Sequence, residues 1–559
     1  MKTSISLYSL IALLAVGLLG GNESARAQVP KFGVHDVVLT GNGAVENPFD
    51  TVASVTFTPP SGDAKAMTVQ AFYDGGDTWR ARIYASEAGE WRWVSACESD
   101  AGLGGKRGVF AVSDSKLPGR LMPHPKNNRQ WITENGQWFL HLNDTAYFLL
   151  CAHDGNGKEV TDEEARRYVR DDVARGITSV RCFLASPREG FNDSRGQWMS
   201  WFFTDASLGQ LRLDNLQCTD RRLRMLLDTH PEVAVQLILF PLEGYQRDDR
   251  FWTAMTLVQR ERLLRQLIAR FAAYPQLFWL ITNDAHYGEK FPRSNAMARE
   301  VGAYLQKHDR WQHPRSTGHA RRVPFYFGDE AWATYIHIEH AHDLGAEQYA
   351  PYDCFNKPVF LGEDRYEHDH AKLDPLHMRY WQRHLFWSWL LSGGSANYGG
   401  RWWAVQPYSE TAGQPTAFHE RSQVMFDKAL TGLDSVAFIR DYFARRHLEL
   451  SDFVPDHALV RDGAGSKAAH APKLMRRGQE EFLIYHPNGI GEGREAHTSA
   501  KATPAMALDL SAASGSFTTE WYRCEDGESK SGDGVNGGSQ AQLVSPWGGQ
   551  DVVLRLVRQ

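Results

Sequence analysis

The sequence predicts a multidomain chain in which a central (β/α)8 TIM barrel is flanked by an N-terminal and a C-terminal β-sandwich. Three observations predict it. Strand-like and helix-like stretches alternate through the middle of the chain, the pattern of βα units on a parallel sheet. Short alternating strands separated by turn signals fill both ends. Two apolar runs in the middle finish in acids, and a barrel presents its chemistry at the C-termini of its strands. At 559 residues the chain exceeds one ordinary core. It divides into residues 1–27, 28–120, 121–453 and 454–559.

Residues 1–27 combine Lys2, an apolar core over 7–19 and Ala25-Arg26-Ala27, the pattern of a cleaved secretory leader. The expectation is an exported protein, periplasmic or extracellular, that begins near Gln28. The apolar stretch is short for an anchor, and no later stretch is long enough to span a bilayer. A net charge of -6 with acids and bases interspersed gives no basic stripe, which makes nucleic acid and anionic membrane poor partners. The 18 Trp and 20 Tyr suit stacking on sugar rings as well as core packing. Six cysteines without C-x-x-C or zinc spacing predict no metal and no cofactor. An exported chain could form a disulfide, but the spacing does not give its pairing, and nothing in the sequence sets the oligomeric state.

The first sandwich follows from alternation over 52–58, the Pro59-Pro60-Ser61-Gly62 turn, and further runs over 68–73, 79–84 and 90–94. Its aromatics could hold a glycan or cap the barrel. Barrel strands are expected at 138–142, 177–184, 233–240, 278–282, 315–319, 334–338, 358–361 and 393–398. Thr161 should cap the first helix and Gly176 should stop it. The last sandwich is expected from runs at 482–485, 517–522 and 552–557, with polar loops at 491–504 and 526–538.

Candidate functional residues come from the strand ends. The run Pro358-Val359-Phe360-Leu361-Gly362 delivers Glu363 into a loop, and residues 278–282 deliver Asn283-Asp284. Arg181 lies inside a buried strand and requires a carboxylate partner there. Asp144, after the first strand, could bind a substrate hydroxyl or cap the next segment. Trp402 and Trp403 beside Gly399-Gly400 suit the floor of a sugar subsite at the barrel mouth. Arg188, Arg365 and Arg401 could line that mouth, which raises a carboxylated or sulfated glycan as a substrate.

Asn47-Pro48-Phe49, Gly89-Glu90-Trp91-Arg92-Trp93, Leu142-Asn143-Asp144-Thr145-Ala146-Tyr147 and Lys357-Pro358-Val359-Phe360-Leu361-Gly362-Glu363 resemble apiosidase-like glycoside hydrolases over nearly the whole mature chain. In that group a β-sandwich precedes a TIM barrel, and the C-terminal piece is of a type labelled for collagen binding. The resemblance implies that Glu363, ending the seventh strand, is the nucleophile. It makes Asp284, following Asn283 at the fourth strand, the acid/base. Most of the wider clan has Glu there, so Glu289 is a reserve acid. Arg181 resembles the buried arginine beside the nucleophile, and His319 and Tyr335 resemble residues around the two acids. Hydrolysis of a plant or algal poly- or oligosaccharide by two carboxylates is the expected activity. A catalytically silent carbohydrate-binding scaffold and a polysaccharide lyase are the alternatives.

Overall fold

The computed structural model describes residues 28–43, 45–186, 199–240, 250–319, 325–339, 349–363, 366–367, 375–412, 415–419, 422–425, 429–461, 470–490 and 498–559. The expected leader, Arg188 and Arg365 lie outside the described residues.

Alternation builds the N-terminal domain. Ala53–Thr58 buries every second side chain, as expected of a strand with one face on a core. Seven strands form one sheet in the order Gln28–Pro30, Arg107–Ser113, Gly89–Cys97, Ala53–Thr58, Met67–Gly75, Thr78–Tyr84, Val34–Thr40. Val55, Phe57, Trp79, Trp91 and Phe110 fill its interior.

Among the described residues eight parallel strands form the centre: β1 (Leu142–Thr145), β2 (Ser179–Phe183), β3 (Ala234–Phe240), β4 (Leu277–Thr282), β5 (Arg315–Ser316), β6 (Ile336–Glu339), β7 (Val359–Glu363) and β8 (Ala396–Tyr398). Six make a TIM-like sheet in the order β5-β4-β3-β2-β1-β8, and β6 pairs with β7. β7 meets β8 where Leu361 N–H donates to Ser395 O (2.9 Å) and Ser395 N–H donates to Val359 O (3.0 Å). On the other side Thr334 N–H donates to Arg315 O (2.8 Å), linking the start of β6 to β5. Helices follow the strands: α1 (Asp162–Ala174), α2 (Leu213–Thr229), α3 (Leu257–Phe271), α4 (Pro292–His308), α5 (Pro375–Leu390) and α6 (Ala437–Arg446). Thr161 closes a capping box with Glu164 at α1, and Gly176 follows that helix at φ 92°, a conformation open to glycine.

The first strand departs from expectation. Trp138–Phe139 pairs antiparallel with Asn127–Thr133 in a hairpin at the foot of the sheet, and the parallel strand starts only at Leu142. Asp144 therefore lies within β1, not beyond its end. At the foot of the strands Leu121, Trp131, Phe139, Phe278, Tyr335 and Phe360 make a separate apolar cluster.

The C-terminal domain is antiparallel, in the order Val454–Pro455, Lys473–Arg477, Glu481–His486, Val552–Arg558, Ser516–Arg523, Ser529–Ser531. Ala505–Asp509 pairs with Gln540–Val544 and packs on that sheet through Met506, Leu508 and Leu543. The 526–538 segment, expected as a loop, carries the short strands Ser529–Ser531 and Val535–Asn536, because Ser516–Arg523 is long enough to pair both. No disulfide joins the described cysteines.

Buried ions hold the flanking domains in place. At the first seam Arg82 donates to Asp36 (2.7 Å) and Asp220 (2.5 Å), and Arg270 donates to Asp74 (2.9 Å) and Asp220 (3.2 Å). At the second, Arg383 of α5 takes Asp551 through Nε (3.0 Å) and Nη2 (2.8 Å). No described helix is long and apolar enough to cross a membrane.

The first seam gives a stability test. Asp220→Ala removes the carboxylate that Arg82 and Arg270 share, leaving each with one aspartate, Asp36 and Asp74, and is expected to cost about 1.5–3 kcal/mol in urea unfolding. Burial pushes the Asp36, Asp74 and Asp220 carboxyls up, but their arginine partners outweigh it and leave all three below the usual aspartate range. Their contribution is therefore complete above the unfolded aspartate value of about 3.9 and is lost as pH falls through the lower folded values. Acid melts of wild type should show this loss, and Asp220→Ala should reduce it.

Candidate active site

Three strand ends supply three carboxylates. β7 ends in Glu363 and β6 in Glu339, and a register shift between Ile338 and Glu339 sets Glu339 opposite Glu363. β4 ends at Thr282, after which Asn283 leads to Asp284 at φ 52°. Aspartate tolerates this left-handed conformation better than most residues, because its short polar side chain can bond locally. One oxygen from each of Asp284, Glu339 and Glu363 lies within 4.8 Å of the others.

Arg181 in β2 is the cation these acids share. It is fully buried, and its Nη1 donates to Glu363 Oε2 (2.9 Å) and the Gly362 carbonyl (2.9 Å). Its Nη2 donates to Glu339 Oε1 (2.8 Å) and to Asn283 Oδ1. The partner expected from sequence is thus present twice. Burial disfavours the guanidinium charge, but Tyr147, Glu363 and Glu339 outweigh it and push the arginine well above its ordinary value. The spacing of the three acids is one a metal ion could bridge, and Arg181 already occupies that counter-ion role for two of them.

Tyrosines complete the pocket wall. Tyr147 O–H donates to Glu363 Oε2 (2.7 Å) and lies 3.2 Å from both Asn283 Oδ1 and the Tyr366 hydroxyl. Burial pushes the Tyr147 and Tyr366 phenols well up, so both stay protonated. Trp402, half-buried, stacks on Tyr366 at 5.7 Å and meets Tyr147 edge-on at 5.7 Å. Trp403 turns the other way, edge-on to Phe148 at 5.3 Å and over Gly155, where a side chain would collide with its indole. It supports Trp402 and does not share its position. Behind the site Glu367 accepts from Thr431 N–H (2.9 Å), Gly432 N–H (3.0 Å) and Tyr398, which ties the segment after β7 to residues beyond β8. Burial pushes its carboxyl up to about 7.

The other candidates separate. His319 is buried at the end of β5, bridged to Ala285 and edge-on to Tyr287 at 5.4 Å, so it stands beside Asp284. Tyr335 does not reach the mouth. It lies lower in the strand interior, where its O–H donates to Trp279 O (2.9 Å) and its oxygen accepts from Gln236 (2.8 Å). Asp144 and Arg401 face the helices instead of the substrate side. Strand alternation sends Asn143 and Thr145 to Asn397 and turns Asp144 outward to Tyr168 O–H (2.9 Å). Arg401 pairs with Asp172 of α1 and covers the Tyr168 ring at 3.5 Å. It therefore gives no support to an anionic glycan at the mouth. Glu289 is exposed on the loop beyond Asp284.

Sequence reasoning missed Glu339, because the run before it, Ile336-His337-Ile338, is short and broken by a histidine, although an acid follows it at once. It also passed over Tyr147 and Tyr366, because a single tyrosine after a strand carries no spacing signature.

These features define a class. A parallel α/β sheet with carboxylates gathered around a buried arginine at its strand ends is the arrangement of a glycoside hydrolase. The profile of the apiosidase-like catalytic domain matches residues 125–447, more than half of the chain, and that of DUF5060, a domain of unknown function, matches residues 28–98. The chain belongs to the apiosidase-like glycoside hydrolase family. A glycoside hydrolase candidate from Bacteroides vulgatus ATCC 8482 has a similar fold, with a TM-score of 0.68, 16% identity, and coverage of 95% of this chain and 100% of that one. A family 5 glycoside hydrolase from the same organism is similar at a TM-score of 0.55 and 15% identity, covering 79% of this chain and 95% of that one. No curated protein sequence matches the chain.

Two substitutions test the placements. Burial and the charge of Asp172 push Asp144 well above the usual carboxylate range, which favours the protonated form that an amide mimics. Asp144→Asn is expected to leave kcat/KM close to that of wild type, as for a residue that makes no contact in the transition state. Gly318→Ala would drive a methyl into the Glu339 carboxylate and the Thr282 carbonyl. It is expected to cost about 1–3 kcal/mol of stability and to reduce activity measurably in the same preparation.

Proposed function

We propose that the protein is an exported hydrolase of a plant or algal poly- or oligosaccharide, acting with retention, with Glu363 as nucleophile and Asp284 as acid/base. In this reading the eight strands act as one closed (β/α)8 barrel and residues 1–27 are the leader removed on export. The single observation that carries the mechanism is the approach of the Asp284 and Glu363 oxygens to within 4.8 Å. Retaining enzymes hold their carboxyl groups about 5–5.5 Å apart, whereas inverting enzymes need about 6.5–9.5 Å to admit a water.

The hydrogen bonds support the division of roles. Glu363 Oε2 accepts from Arg181 and Tyr147, both of which favour the ionised form. As charge develops on the sugar ring, Glu363 attacks the anomeric carbon, and the proton of Asp284 passes to the departing oxygen. A water then loses a proton to Asp284 and displaces Glu363 from the glycosyl-enzyme, which restores both groups. In this reading Trp402, which stacks on Tyr366 beside Tyr147, receives the apolar face of a sugar.

The test begins with an array of plant and algal polysaccharides, products read by mass and the first-formed anomer by NMR. Retention is expected, and a first product of inverted configuration would refute the mechanism. An unsaturated, ultraviolet-absorbing product would identify a lyase instead. Glu363→Gln is expected to abolish turnover while glycan binding persists, and Asp284→Asn to lower kcat by about 10²–10⁴. Binding without turnover by wild type on every glycan would favour a scaffold.

A further inference from the structure

We propose that Glu339 is the positioning residue for the general acid: it pins the Asp284 backbone and keeps the proton on that side chain. The inference rests on the retaining assignment and adds a third carboxylate to it.

Glu339 is 2% exposed and is surrounded by donors. Its Oε1 accepts from Arg181 Nη2 (2.8 Å) and from His337 (3.1 Å), and its Oε2 accepts from the backbone N–H of Asp284 (3.1 Å). The direction of the His337 bond is fixed from below. Tyr335 donates its one proton to Trp279 O (2.9 Å), so its oxygen accepts from the Gln236 amide (2.8 Å). The same Gln236 nitrogen donates to His337 Nδ1 (3.2 Å), which leaves the imidazole proton on Nε2, aimed at Glu339. Burial and Arg181 push His337 well down, so the ring is a neutral donor. A carboxyl that receives three N–H groups is held as an acceptor, that is, ionised. Glu339 is therefore not the acid that protonates the leaving group.

Charge then selects Asp284 for that task. Arg181 supplies one positive charge against Glu339 and Glu363, leaving the trio net negative. A third anion within 4.8 Å would be repelled by both carboxylates, so the remaining acid retains its proton. The groups around Asp284 are Glu339 from β6, Glu363 from β7, Arg181 from β2, Tyr147 after β1, and His319 bridged to Ala285. His286 and Tyr287 come from its own loop, and His337 and Tyr366 stand behind the two glutamates. The Asp284 backbone N–H donates to Glu339, which holds the left-handed φ of 52° that aims the side chain. Gln236, Tyr335 and His337 thus link the apolar foot of the sheet to its catalytic rim.

The decisive variant is Glu339→Gln in the full chain, which keeps the shape and removes the charge. The deprotonation of Asp284, followed by infrared titration of carboxyl bands and assigned by the band lost in Asp284→Asn, is expected to fall by about one pH unit, a tenfold change in proton affinity. The basic limb of kcat/KM on the glycan identified by the array should move down with it, KM changing little. Glu339→Asp keeps the charge on a shorter arm and should restore the limb while kcat stays reduced. An unshifted Asp284 titration in folded Glu339→Gln, or a shift that Glu339→Asp fails to reverse, would overturn the proposal. Should Glu339→Gln not fold, Glu339→Asp decides alone, and wild-type kcat in it counts against the role. The retaining assignment fails separately, by an active Asp284→Asn or an inverted product.

Discussion

The interior of this enzyme depends on one guanidinium that cannot be neutralised. Arg181 is fully buried on a central strand, and a charge there is tolerable only where acceptors are delivered to it. Glu339, Glu363, Asn283 and the Gly362 carbonyl meet that requirement from the ends of three other strands. The converse also holds. Two carboxylates this close are stable together because a permanent cation sits between them, so the arginine and the acids require each other.

That mutual dependence extends along the acidic rim of the sheet. Each acid is fixed by more than its own rotamer: Glu363 by Tyr147 and Arg181, Glu339 by three donors, and Asp284 through its backbone. The supporting shell continues downward through His337, Gln236 and Tyr335 to the aromatic cluster around Trp131, where packing takes over from hydrogen bonding. The same device recurs at the edges of the central unit. The Arg82 and Arg270 network with its aspartates, and the Arg383–Asp551 pair, hold the two β domains by bonds whose geometry fixes orientation as well as proximity.

The relation between sequence and structure is clearest at particular residues. Apolar runs ending in acids located Asp284 and Glu363, because a strand buried on both faces leaves a readable stretch and its first polar residue marks the rim. The rule that a buried arginine requires a carboxylate foretold the partner of Arg181 without naming Glu339. Asp144 was misread for a specific reason: the first apolar stretch was divided between a hairpin and a strand, and moving the strand start turned the side chain from rim to helix. Tyr335, Arg401 and Trp403 carried the right chemistry but lie lower, outside and behind, respectively.

The sequence by itself determined the order of domains, the parallel strands with their helix caps, and two of the three acids, because periodicity, capping residues and strand-terminal carboxylates are local properties. Only the tertiary structure decided which acids meet, that Glu339 joins them, and which tyrosines and tryptophan surround them. Those choices depend on the register between strands far apart in the chain, on the bulge that levels Glu339 with Glu363, and on the face to which each side chain turns. No single stretch of sequence contains that information, since a shift of one residue in any strand would exchange the rim for the helix layer.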